Sequence, residues 1–203
     1  LDALPVRQLV RTATGWRERM VGLDGDRLAF VAGGQAMDSA VPPDRREAAE
    51  GTILETSPAS AAVIYEAAGR LVQQGGAALF IDYGHAEPRT GSTFQAVAAH
   101  RKVDPFAAPG AADLTAHVDF ATLARIAQSR DARHLGTVTQ GEWLEALGIA
   151  ARAQALMERA PQYAAEIAQA RDRLIGADAM GTLFKVMALA APHWPDGVGF
   201  APR

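Results

Sequence analysis

The sequence predicts an α/β fold, with helices layered on a mostly parallel sheet that carries an antiparallel edge, and three stretches carry that expectation. A helix-forming run from Ser57 feeds the short continuous apolar run Ala77 to Ile81, which together make half of a βαβ unit. Asp24-Gly25 separates two strand-like runs, the signature of an antiparallel hairpin. His134 to Thr139 suits a strand that runs into Thr139-Gln140-Gly141-Glu142, a capping box opening a further helix. Helical and extended patterns alternate along the chain without internal repeats, as layered α/β structure requires.

In order, Val6, Leu9 and Val10 follow Pro5 and suit a strand emerging from a loop. Trp16 to Leu23 and Arg27 to Val31 form the hairpin arms. Residues 33–50, rich in Gly, Asp and Pro, predict an exposed, flexible connection or insertion within a single domain spanning 1–203. Ser57 caps the next helix with Pro58 in its first turn, where a missing N–H costs nothing. Ala61, Ile64, Ala68, Leu71 and Val72 repeat at helical spacing until Gly75-Gly76 supplies a left-handed stop. Ala77 to Ile81 has the pattern of a strand buried on both faces. Thr93 to Val103 alternates irregularly and fits either a strand or a short helix. Asp119 is placed to cap a helix with Leu123, Ile126 and Ala127 inward. Gly148 ends the helix opened at Thr139, residues 150–175 give one or two helices broken near Pro161, and Leu183 to Leu189 reads as a final apolar strand.

Composition narrows the function. The 203 residues are 49% hydrophobic and 21% charged, enough for a real core. A formal net charge of −3 offers no bulk attraction to phosphate backbones or anionic lipids, which argues against nucleic acid as a partner. Cysteine is absent, so disulfides and thiolate metal sites are excluded and a reducing compartment is expected. No apolar run approaches the roughly 18 residues that span a bilayer. The chain opens on Leu1 directly into patterned sequence, so an upstream segment is expected to have been cut away.

Ligands of open α/β sheets bind beyond the carboxyl ends of strands, which directs attention to Asp82-Tyr83-Gly84-His85 after the Ala77 to Ile81 run. An acid, a phenol and an imidazole beside a glycine can orient a substrate or take a proton. A structural reading, in which Asp82 caps a turn and Tyr83 packs, stays open beside it. Asp113, Thr115, His117 and Asp119 share one face if their segment is extended, and that face can line a cleft. A metal-dependent hydrolase on His85, His117 and Asp119 is the weakest reading, since the usual ligand spacing is missing. Glu55 before the Ser57 cap can be an acidic ligand contact, although capping explains Ser57. His100, His134 and His193 are isolated, and no G-x-G-x-x-G loop follows a strand, so no cofactor cradle is visible.

The runs LDALPVRQLV, GWRERMVGLDGDRL, GTILETSPA, ALFIDYGH, STFQAVAAHRKVDPFAAPGAADLTAHVDFATLA, TQGEWLEALGI and MGTLFKVMALA, in this order, resemble the MidA family of S-adenosylmethionine-dependent methyltransferases. That family includes the mitochondrial complex I assembly factor that methylates a protein arginine. The resemblance covers essentially the whole chain, with the DYG and ADLTAHVDF segments its most specific parts.

The resemblance implies the C-terminal part of a Rossmann-like class I methyltransferase sheet with helical additions. The family's glycine-rich cofactor loop and its ribose-binding acid precede the region matched here, so S-adenosylmethionine is expected for the full-length protein and none for this fragment. In the family an Asn-Glu pair ends the fourth strand just before this sequence, which makes Asp2 to Pro5 a remnant of the pocket loop. Methyl transfer needs in-line approach to the sulfonium carbon, and a guanidinium substrate prefers carboxylates. Asp82 and Tyr83 are accordingly the expected catalytic residues, with Asp2, Gly84, His85, Asp113, Thr115, His117 and Asp119 on the substrate side and no metal. The implied partner is a protein substrate such as a respiratory complex subunit, without membrane insertion and with homo-oligomerisation left open. The implied location is the bacterial cytoplasm, or the mitochondrial matrix in a eukaryote. A non-catalytic protein-binding module is the alternative.

Overall fold

In a computed structural model, residues 1–200 are described. In chain order the elements begin with β1 (Arg7–Thr12), β2 (Gly15–Asp24), β3 (Arg27–Ala36), β4 (Ile53–Thr56), α1 (Pro58–Gln74) and β5 (Ala77–His85). There follow β6 (Gln95–Ala98), β7 (Arg101–Val103), β8 (Asp113–Thr115), β9 (Val118–Asp119), α2 (Phe120–Gln128) and β10 (Arg133–Thr139). The last are α3 (Gln140–Ala146), α4 (Ile149–Arg159), α5 (Ala164–Ile175), α6 (Met180–Leu183) and β11 (Phe184–Ala190). They form two compact units, one built from 1–60 and 89–117, the other from 61–88 and from 118 onward.

The first unit holds two antiparallel sheets, ordered β3-β2-β1-β4 and β7-β6-β8. The Asp24-Gly25 hairpin forms with Leu23 opposite Leu28. Its second arm runs on to Ala36, so the connection expected from residue 33 starts later and contains 3₁₀ turns at Asp38–Ala40 and Pro43–Arg45. Those turns serve packing: Val41 is buried with Leu9 and the fully enclosed Trp16, whose indole N–H donates to the Arg46 carbonyl at 3.0 Å. Thr93 to Val103 is neither one strand nor a helix. It is the β6–β7 hairpin, turned at Ala99 and His100, both with positive φ.

The second unit is a sheet ordered β10-β11-β5-β9 with helices around it. β11 runs antiparallel to both β10 and β5. Among the described residues only β5 and β9 pair in parallel, so the mixed α/β class holds while the mostly parallel sheet does not. The strand enclosed on both faces is β11, buried from Val186 through Ala190. β5 alternates instead, leaving Leu79 50% and Ile81 47% exposed. α1 lays Ile64, Ala68 and Leu71 inward as the spacing predicts, whereas Val72 faces out, and α2 buries Leu123 and Ala127 with Phe120.

Local caps follow the sequence closely. Ser57 Oγ accepts from Ser60 N, Asp119 accepts from Thr122 N, and Thr139 forms a complete capping box with Glu142. The two Thr139 hydrogen bonds hold the Glu142 carboxyl below its usual range, an effect that burial opposes and the Lys185 charge assists. A carboxyl depressed by folding stabilises above its unfolded pKa, and that contribution disappears as pH falls through the lower folded value. Thr139→Ala is therefore expected to cost about 1 kcal/mol at neutral pH and to flatten the acid limb of stability. Urea unfolding across pH 3–7 measures both; an unchanged acid limb would count against the box.

Candidate functional site

The Asp82-Tyr83-Gly84-His85 segment is not a loop after β5 but the second half of that strand. Extension follows from pairing on both edges. Phe184, Lys185 and Val186 lie opposite Tyr83, Asp82 and Ile81, and the β9 residues Val118 and Asp119 lie opposite Gly84 and His85. Asp82 is buried, and its Oδ1 accepts from the Tyr83 N–H at 2.9 Å. The Tyr83 ring meets Phe184 edge-on at 5.6 Å. Gly84 permits the closest approach in this part of the sheet, since a Cβ there would lie 2.2 Å from the Val118 carbonyl oxygen.

His85 Nδ1 lies 2.7 Å from the Glu87 carbonyl, which can only accept, so the proton sits on Nδ1. The same nitrogen is 3.9 Å from Asp119 Oδ1. Asp119 is committed to α2, holding Thr122 N and Thr122 Oγ1 at 3.0 and 2.6 Å. The strand end thus carries a buried acid, an aromatic, an oriented imidazole and a second acid. Lys185 completes it and was not singled out by the sequence. Its Nζ donates to the Gly84 carbonyl at 3.1 Å and to the Thr182 and Leu183 carbonyls, while burial lowers its pKa against the pull of Glu142. The available signal was a lysine inside an otherwise apolar strand run, in a chain with only one other lysine, Lys102.

The remaining candidates lie in the first unit. Asp113 and Thr115 are on β8, whereas Asp119 is on β9, so the segment is not the one extended strand that the expected common face required. The break follows from pairing with different neighbours: β8 joins β6, and β9 joins β5. Asp113 is exposed, and Thr115 is buried with its Oγ1 accepting from Gln95 Nε2 at 3.2 Å. The Asp2 carbonyl accepts from Ala116 N, which sets the chain start beside the end of β8. His117 N donates to Thr93 Oγ1, and Thr93 donates to Glu55. Glu55, which the sequence offered as an acidic ligand contact, uses its carboxylate to collect the N–H groups of Thr93 and Phe94 and the amide of Gln8.

A polar cleft of about 380 Å³ opens beside this network, lined among others by Arg89, Lys102, Gln95 and His117. Its formal charges are cationic, so it favours anions over a guanidinium. Of the two groups of predicted residues, only the β5 end offers a buried carboxylate. Among the described residues no three His, Asp or Glu side chains converge as metal ligands. The strand-to-helix junctions at Ser57, Asp119 and Thr139 are each closed by one capping side chain that already takes a first-turn N–H. No helix in the described residues is long and apolar enough to cross a membrane.

Residues 1–138 match a family described as "Putative S-adenosyl-L-methionine-dependent methyltransferase". Among proteins of known name, the chain is 38% identical over 197 residues to the rat "Protein arginine methyltransferase NDUFAF7, mitochondrial", with 95% of the chain and 44% of the relative covered. The human protein of the same name is 36% identical over 197 residues, again with 95% and 44% covered. A crystal structure of a COG1565 superfamily protein from Burkholderia thailandensis superposes with a TM-score of 0.86 at 31% identity, over 98% of this chain and 55% of the other. A second structure from that organism, bound to S-adenosyl-homocysteine, gives 0.82 at 30% identity over 98% and 53%. The chain spans about half the length of the relatives it matches.

Proposed function

We propose, from the premise that the chain belongs to this family of S-adenosyl-L-methionine-dependent methyltransferases, that it forms the C-terminal part of a protein arginine N-methyltransferase. Its task is to present the substrate and to complete the sheet. The relatives named protein arginine methyltransferases supply the substrate class, since they are 36% and 38% identical along nearly all of this chain. A second observation supports the division of labour. The half of β5 from Ala77 to Ile81 has no second strand neighbour among the described residues, and its Leu79 and Ile81 side chains are about half exposed. Further chain in the longer protein would cover them.

Asp82 carries the assignment of the substrate end. A carboxylate buried in the second half of a strand, with Lys185 in register across the sheet, can accept hydrogen bonds from a guanidinium in a fixed geometry. Lys185 fastens the Gly84 carbonyl and so holds the strand end in place. His85, its Nδ1 proton held by the Glu87 carbonyl, stands three positions beyond Asp82 along the strand and so on its opposite face. The cofactor supplies the methyl group when bound. Its glycine-rich loop is assigned to the remainder of the longer protein, so this chain alone is expected neither to bind it nor to transfer methyl groups. The partner is a protein, with a respiratory complex subunit as the candidate substrate, and the compartment is the bacterial cytoplasm or the mitochondrial matrix.

The test uses the longer protein that contains this sequence. Asp82→Ala is expected to lower methyl transfer to a protein arginine at least tenfold, about 1.4 kcal/mol of transition-state stabilisation, with Asp82→Glu recovering part of it. Radiolabel incorporation measures the effect. Unchanged transfer by Asp82→Ala removes this residue from the site, and saturable binding of S-adenosylmethionine by the 203-residue chain alone overturns the assignment of the cofactor loop.

A further inference from the structure

The helical part of the second unit is poorly enclosed. Among its described residues α5 buries none fully and α4 buries only Ala153. Helices of 12 and 11 residues ordinarily bury a stripe, because an amphipathic face is what holds a helix against its neighbours. Here the apolar residues converge on an open trough of about 450 Å³ between α3, α4 and α5. Leu147, Leu156 and Leu174 line it and remain 49%, 39% and 37% exposed. Ile149, Ala153 and Leu156 on α4, and Ile167, Ala170 and Leu174 on α5, repeat at i, i+3 or i+4, and i+7. That is the spacing of a face prepared to receive another helix.

The charges choose among occupants. The charged residues lining the trough are Arg152 and Arg171, both cationic. Arg171 is held by Asp172 at 2.6 Å, whereas Arg152 has no ion-pair partner among the described residues. A single acyl chain would call for a tunnel that encloses it, and three leucines this open to water do not make one. We propose that the α3–α4–α5 trough docks an amphipathic helix of a protein partner, one that presents an apolar i, i+3/i+4, i+7 stripe flanked by an acidic residue facing Arg152. The proposal is independent of methyl transfer.

The probe is a synthetic helical peptide with one leucine stripe flanked by glutamates, labelled and titrated by fluorescence anisotropy, together with its lysine-flanked twin. The longer protein that contains this sequence is expected to bind the glutamate peptide saturably and at least tenfold more tightly than the lysine peptide. Arg152→Glu, on an exposed helix position, should invert that preference, and Leu156→Asp should abolish binding of both while the circular dichroism spectrum is kept. Equal binding of the two peptides, or no saturable binding of either, overturns the proposal. So does concentration-dependent dimerisation that Leu156→Asp removes, because it would give the trough to a second copy of the chain.

Discussion

Gly84→Ala is expected to destabilise the protein by about 3 kcal/mol, the upper range for forcing extra volume into packed structure. The clash is with backbone and has no flexible side chain to absorb it. A Cβ at Gly84 would stand 2.2 Å from the Val118 carbonyl oxygen and 3.0 Å from the Phe120 ring. Relief requires β5 and β9 to part, and with them the register that sets His85 beside Asp119. The loss therefore falls on stability and on the site together. Gly34→Ala is the matched control: nothing lies within 4 Å of its added Cβ and its φ is not positive, so it should stay within about 0.5 kcal/mol of wild type. Urea unfolding of the three proteins decides the matter, and a Gly84→Ala cost below about 1 kcal/mol would mean that the strand pair yields more easily than its geometry indicates.

That contrast between two glycines marks where the sequence is legible and where it is not. Elements governed by neighbours in the chain were readable: the Ser57 cap, the Asp24-Gly25 hairpin and the Thr139 capping box each act over a few residues. The same holds for the strands at residues 133–139 and 184–190, whose apolar runs are bounded by clear helix signals. What failed depended on distant partners. β4 is four residues long and exists because β1 pairs with it across more than forty positions. The β6–β7 hairpin turns at Ala99 and His100, which adopt positive φ without the Asn or Gly that announces such a turn. β11 runs antiparallel to β5, a direction that no local pattern encodes.

The candidate site divides along the same line. Asp82 was readable as a polar residue next to a buried-looking strand, but its place within the strand depends on β11 and β9. Lys185 reaches the Gly84 carbonyl across 101 positions of sequence, and nothing near either residue foretells it. The expected common face of Asp113, Thr115, His117 and Asp119 assumed one continuous strand, and the change of partner between β8 and β9 breaks it. Resemblance to a methyltransferase family identified the chain where periodicity could supply only its layers. Geometry then separated the buried carboxylate at the end of β5 from the cationic cleft lined by Arg89 and Lys102.

Glu55→Ala is expected to cost about 2–4 kcal/mol, because the carboxylate satisfies several donors that its removal leaves unpaired. Two are backbone N–H groups, Thr93 at 3.0 Å and Phe94 at 3.2 Å, and a third is the side-chain amide of Gln8 at 2.7 Å. Gln8 is itself buried, and its carbonyl takes the Arg19 guanidinium at 2.6 Å, whose cation lies 3.6 Å over the Phe30 ring. Burial lowers the Arg19 pKa and Glu55 raises it, so removing the carboxylate also withdraws an opposing charge from a partly desolvated cation. Glu55→Gln tests the account more sharply than alanine does. It preserves size but turns one acceptor oxygen into a donor facing Thr93, so it should recover less than half of the loss. If glutamine restored full stability in urea unfolding, shape rather than acceptor count would explain the site. If alanine cost under about 1 kcal/mol, the Thr93 and Phe94 amides would have found water, and the coupling from β4 through Gln8 to β2 would carry no weight in holding the first unit together.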